Sequence, residues 1–153
     1  MAVEIERKFL IDADFNPQTL AEPEKITQGY LCAEPLRTVR VRRKGKKAFI
    51  TVKGKTEGAA RLEFEYEIPI ADAKELLALC PHVLEKDRYS IPFAGFIWEV
   101  DIFHGENEGL RIAEIELPKK DTAFEKPAWV LAEVTSDEWY TNAVLSRHPF
   151  SVW

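Results

Sequence analysis

Six cations and eight carboxylates in this chain fall mostly in pairs two residues apart, and that spacing is where its chemistry can be read. The cations are Lys8, Arg40, Arg42, Lys53, Lys86 and Arg88; the anions are Glu4, Glu6, Glu63, Glu65, Glu99, Asp101, Glu114 and Glu116. Clustered carboxylates offer the hard oxygen ligands that Mg²⁺ or Mn²⁺ takes. Arginine and lysine bind phosphate oxygens, arginine in a bidentate way. Facing one common space, the two sets would suit a polyphosphate bridged to a divalent metal. The matching chemistry is phosphoryl transfer by positioning and charge neutralisation.

Strands are the elements that would bring such residues together, because alternate side chains of a strand share a face. From Val3 to Ile11, Glu4, Glu6 and Lys8 share one side while Val3, Ile5, Arg7 and Phe9 share the other. The same alternation continues through Leu36–Arg43, Lys47–Lys53, Arg61–Ile68, Val83–Ile91, Phe96–His104 and Leu110–Leu117, and Ile26–Cys32 and Trp129–Thr135 also read as strands. Lys44-Gly45-Lys46 and Ala94-Gly95 read as hairpin turns, and Gly29 marks a bulge or a close approach. Apolar residues at helical spacing predict a helix over Ala71–Cys80, stopped by Pro81. Short helices are expected at Asn16-Pro17 and at Asp121–Phe124, with a closing helix over Asp137–Leu145 capped by Ser136.

The apolar faces of these strands must pack under other elements to form a core, which turns the charged faces the other way. An open sheet would show them to water. A closed barrel would turn them into a lumen lined by both signs and would remove the exposed edges. Buried charges in such a lumen must pair or hold ligands and ions.

The chain's 153 residues, 46% hydrophobic and 31% charged, suit a single domain spanning 1–153. Charges interrupt every apolar stretch, and the N-terminus lacks the order of a signal peptide, so a cytoplasmic protein without membrane partners is expected. The net charge of −5 argues against general nucleic-acid affinity. Cys32 and Cys80 have no cysteine partners at ligand spacing and read as reduced thiols. His82, His104 and His148 are scattered and read as structural, and Lys44, Lys46 and Lys47 as a solvated hairpin tip.

The ordered set Glu4-Ile5-Glu6-Arg7-Lys8, Val39-Arg40-Val41-Arg42, Thr51-Val52-Lys53, Glu63-Phe64-Glu65, Glu85-Lys86-Asp87-Arg88-Tyr89, Glu99-Val100-Asp101 and Ala113-Glu114-Ile115-Glu116 resembles the CYTH domain of the triphosphate tunnel metalloenzymes. That resemblance implies an α+β, mainly antiparallel fold: a closed eight-stranded β-barrel forming a tunnel, with a few helices outside. It implies a small-molecule triphosphate as substrate, a divalent metal (Mg²⁺ or Mn²⁺), and a monomer or homodimer. By the same resemblance, Glu4, Glu6 and Glu116 would hold the metal. Lys8, Arg40, Arg42, Lys53, Lys86 and Arg88 would grip phosphate, and Glu63, Glu65, Asp101 and Glu114 would surround the attacking nucleophile as catalytic acids.

Small bacterial-type members resemble inorganic triphosphatases, so hydrolysis of tripolyphosphate to diphosphate and phosphate by a metal-activated water is expected. The alternatives are an adenylyl cyclase, a nucleoside, RNA or thiamine triphosphatase, and a non-catalytic polyphosphate or nucleotide binder. An oligonucleotide-binding barrel would need aromatic platforms on the charged face, where this chain has few. One position departs from the family pattern: Trp139 stands where a basic residue usually precedes the tyrosine of the closing helix.

Overall fold

The computed structural model describes residues 3–153. In chain order these form β1 (Val3–Ile11), β2 (Pro23–Glu34), β3 (Arg37–Lys44), β4 (Lys47–Gly54), β5 (Ala60–Ile68), α1 (Ile70–Leu79), β6 (Val83–Phe93), β7 (Phe96–Phe103), β8 (Arg111–Glu116), β9 (Val130–Glu133) and α2 (Asn142–Arg147). The strands run in the order β5-β4-β3-β2-β6-β7-β8-β1, and β1 pairs back onto β5, so eight antiparallel strands close a ring. Closure rests on a short contact, Val3↔Leu62 to Ile5↔Ala60. Further along β1, β9 takes its place through Phe9↔Glu133 and Ile11↔Val130.

Local chemistry explains the tight connections. Between β6 and β7, Ala94 and Gly95 both have positive φ (48° and 85°), as a two-residue hairpin matched to strand twist requires. Gly29 on β2 is the close approach expected from the sequence: a Cβ there would lie 2.8 Å from the Cys80 Cβ. That contact seats the end of α1 against the ring.

The main core lies outside the ring. Phe9, Tyr89, Ile91, Trp98, Val100, Ala113, Ile115 and Leu117 are buried on the outer faces of β1, β6, β7 and β8, joined by Val130. The segment between β8 and β9 covers them: Phe124 meets Trp98 edge-on at 5.8 Å, and Trp129 stacks on Phe15 at 4.3 Å. A second cluster, Val41 and Ala48 under Ala73, fastens α1 to β3 and β4. The third lies at one end of the ring. There Leu84, Phe103 and Ile112 share the charged residues' parity, and Leu145 of α2 packs on them.

Three expectations are corrected. Asp121–Phe124 is not a helix: Lys119 and Thr122 close a turn, and Phe124 is drawn into the core against Trp98. The closing helix is broken. A single turn at Glu138–Tyr140, capped by Asp137 rather than Ser136, is followed by extended Thr141, which caps α2. Nor do all apolar strand faces pack under other elements, because on β5 Leu62, Phe64 and Tyr66 remain 45%, 42% and 60% exposed.

Candidate functional site

Inside the ring lies a cavity of about 200 Å³ walled by Glu4, Glu6, Lys8, Tyr30, Thr38, Arg40, Arg42, Lys44, Lys53, Arg61, Glu63, Glu65, Arg88, Glu99, Glu114 and Glu116, with Thr141, Asn142 and Ala143 at its edge. Seven cations thus face seven carboxylates. Register stacks them in rungs, since residues directly opposite on neighbouring strands are side-chain neighbours. One rung runs Glu65–Thr51–Arg40–Tyr30 across β5, β4, β3 and β2. Another runs Glu99–Glu114–Lys8 across β7, β8 and β1. Glu6 faces Glu116, Glu4 faces Arg61, and Lys53 faces Glu63.

Most of these charges are partnered. Lys53 Nζ reaches Glu4 Oε1 at 2.7 Å and Glu63 Oε2 at 3.4 Å. Lys8 lies 3.9 Å from both Glu6 and Glu114. Burial alone would pull the Lys8 ammonium down, but Glu114 and Glu6 outweigh it and hold it above its ordinary value. Arg40 donates to Thr51 Oγ1 at 3.1 Å, and Thr51 donates to Glu65 at 2.9 Å.

Two guanidiniums are exceptions. Arg42 donates only to the neutral Gln28 Oε1, at 2.8 Å, and has no carboxylate partner among the described residues. Burial, then Arg40 and Arg88, push it down to about 9. Arg61 likewise has no ion pair among the described residues, and its Nε is buried without a hydrogen-bond partner. Arg42 is buried, and charge buried without a counter-charge costs several kcal/mol and is relieved by an anionic ligand.

Eleven of the thirteen residues singled out from the sequence line this cavity. Lys86 and Asp101 do not; each is 0% exposed, outside the wall. Asp101 accepts a bidentate bond from Arg88 (2.7 Å from Nε, 2.8 Å from Nη2) and lies 2.7 Å from Lys86 Nζ. Burial would raise its pKa, yet Arg88 and Lys86 hold the carboxyl far below the usual range. Burial, aided by Arg88 and Arg42, pushes Lys86 down to about 7 despite Asp101. Asp101 therefore aims Arg88, whose Nη1 reaches Glu99 at 3.2 Å and whose Nη2 also lies 3.9 Å from Glu114.

Sequence reasoning placed Glu99 in the charged set without giving it a role, and passed over Arg61, Lys44, Tyr30, Thr38 and the Thr141–Ala143 segment as site residues. Arg61 shares parity with Glu63 and Glu65, so its signal was present. Lys44 belongs to the Arg40–Arg42 face and turns inward, beside Glu24 at 3.5 Å, rather than standing at a solvated tip. Trp139, 45% exposed, lies off the cavity, with its ring against His148 and Trp153.

Whether the acids suit a divalent ion can be judged from their mutual repulsion. Glu4 is raised by burial against the pull of Lys53, with Glu63 adding to the rise. Glu116 is raised by burial and then by Glu4, Glu6 and Glu99. Such crowded oxygen donors fit a hard divalent cation. Among the described residues, no three acidic, histidine or cysteine side chains converge tightly enough to form a finished metal site. The fit is therefore one of donor chemistry.

Comparison with known proteins agrees with the site. The CYTH domain family model matches residues 2–140. An inorganic triphosphatase of Acetivibrio thermocellus is 48% identical over 152 residues, covering 98% of this chain and 97% of that one. One from Nitrosomonas europaea is 35% identical over 149 residues, covering 94% and 96%. A crystal structure of an inorganic triphosphatase superposes with a TM-score of 0.65 at 32% identity, covering 95% of each chain. With its charged ring interior and a family match over nearly its whole length, this chain belongs to the CYTH domain family.

Proposed function

We propose that this protein hydrolyses inorganic tripolyphosphate to diphosphate and phosphate, with a divalent metal, by in-line attack of water inside the charged cavity. The observation that carries this reading is the two-sign wall in which Arg42 and Arg61 lack carboxylate partners among the described residues, while Glu116 is raised by burial and by its neighbours Glu4, Glu6 and Glu99. A polyanion would satisfy the first imbalance and a divalent cation the second. The two related inorganic triphosphatases support the choice of substrate.

In this reading Lys8, Arg40, Arg42, Lys53, Arg61 and Arg88 hold phosphate oxygens along the cavity and neutralise charge developing on them. Glu4, Glu6 and Glu116 would hold Mg²⁺ or Mn²⁺, which supplies charge neutralisation and polarisation of phosphoryl oxygens. Glu63, Glu65 and Glu114, which lie against Lys53, Arg40 and Lys8 at 3.4, 3.5 and 3.9 Å, would orient water for attack. Asp101 keeps the Arg88 fork in place instead of meeting the nucleophile, and Lys86 backs it.

Incubation of the pure protein with tripolyphosphate or ATP, in Mg²⁺, Mn²⁺ or EDTA, tests this. Metal-dependent phosphate release, faster from tripolyphosphate than from ATP, is expected. Conversion of ATP to cyclic AMP and diphosphate would instead assign a cyclase, and binding without turnover in every metal would assign a binder.

A further inference from the structure

The end of the cavity beside α2 is finished by Thr141, Asn142 and Ala143. Ala143 carries no polar group. The Thr141 hydroxyl is occupied twice, donating to the Glu138 carbonyl at 2.8 Å and accepting from the Val144 N–H at 3.3 Å. Asn142 is different, because its Oδ1 accepts from the buried Lys86 Nζ at 2.9 Å. With Asp101 2.7 Å from its Nζ, Lys86 is held as an ammonium that has only donors, so this bond fixes which way the amide faces. The oxygen is turned to Lys86, and the Nδ2 group is left with both hydrogens and no partner among the described residues.

We propose that Asn142 is a substrate-binding residue: its Nδ2 donates to a phosphate oxygen at the α2 end of the cavity, and Lys86 is the positioning residue that aims it. This rests on the polyphosphate reading of the cavity. It gives Lys86, which is shut off from the lumen, a way to act on the substrate. It also gives this end of the cavity a neutral donor, with Trp139 turned away on an outer aromatic cluster.

Replacing Asn142 by aspartate separates this role from a structural one. N142D keeps an oxygen for Lys86, and with it the buried bond, but presents a carboxylate oxygen to phosphate where the donor was. Calorimetric titration with tripolyphosphate in EDTA, where turnover is suppressed, should show binding about tenfold to a hundredfold weaker than wild type. With metal, KM should rise far more than kcat falls, and the melting temperature should be unchanged. If N142D melts early, the same titration at a temperature where the variant is folded makes the comparison. Wild-type affinity in a folded variant would overturn the assignment of Asn142 alone. Failure of the wild-type protein itself to bind tripolyphosphate would overturn the cavity reading and this proposal with it.

Discussion

Asp101→Asn is the substitution that best separates a catalytic from a positioning carboxylate. Asp101 is fully buried and receives three short contacts, two from Arg88 and one from Lys86. Removing its charge leaves two buried cations facing an amide, and breaking a buried pair in this way costs about 3–5 kcal/mol. Lys86, already held down to about 7, can release its proton to relieve part of the loss, and Arg88 retains Glu99 and Glu114. The expected cost is therefore at the lower end, about 3 kcal/mol at pH 7, or a fall of about 6–12 °C in Tm for a chain of this size. The pKa of Asp101 is depressed in the folded state, so its contribution is complete above the unfolded value of about 3.9 and is lost as pH falls through the folded value. The stability gap between wild type and variant should thus narrow below about pH 4. Urea denaturation from pH 3 to pH 8, together with steady-state phosphate release, measures both effects. KM should rise through misplacement of Arg88 while measurable turnover persists. A variant of unchanged stability with abolished turnover would refute the positioning role and return Asp101 to the nucleophile.

Other outcomes follow from the same geometry. Arg61→Met removes a cation with no ion-pair partner among the described residues, and should raise KM for tripolyphosphate about tenfold with little change in Tm. Glu116→Gln should raise the melting temperature of the metal-free protein at pH 7. A raised folded pKa means that stability is present at low pH and lost as pH rises, so the gain should vanish towards about pH 4. The same variant should show a smaller rise in melting temperature with Mn²⁺ than wild type does. Gly29→Ala places a methyl 2.8 Å from the Cys80 Cβ and 3.2 Å from the His82 carbonyl oxygen, and should cost about 1–3 kcal/mol in urea denaturation.

Strand parity made the inner face of the ring legible because side-chain alternation is a local property of extended backbone. Glu4, Glu6, Lys8, Arg40, Arg42, Glu114 and Glu116 could all be grouped this way. Parity does not reveal depth along the lumen. Lys86 and Asp101 share a face with Arg88 and Glu99, yet they lie where Leu84, Phe103, Ile112 and Leu145 fill the ring. That filling depends on α2, about forty residues after Asp101 and 56 after Lys86 in sequence. Cross-strand partners such as Glu4 and Arg61 are set by the stagger of strands in the closed ring, which no single strand encodes. The helix expected at Asp121–Phe124 lost to tertiary packing of Phe124 on Trp98. The break at Thr141 did leave a local signal, a threonine whose hydroxyl accepts from the N–H three residues on.

Phosphate release from tripolyphosphate by the wild-type protein and by Glu6→Gln, across a titration of Mn²⁺ or Mg²⁺ from a metal-free start, tests the metal-dependent hydrolysis most directly. Glu6 faces Glu116 across β1 and β8 and shares the crowded acidic side of the cavity. Wild-type turnover should rise from nothing with added metal and saturate, yielding one phosphate per diphosphate, while Glu6→Gln remains folded and near zero throughout. Turnover in EDTA, or near-normal metal-dependent activity in Glu6→Gln, would contradict it.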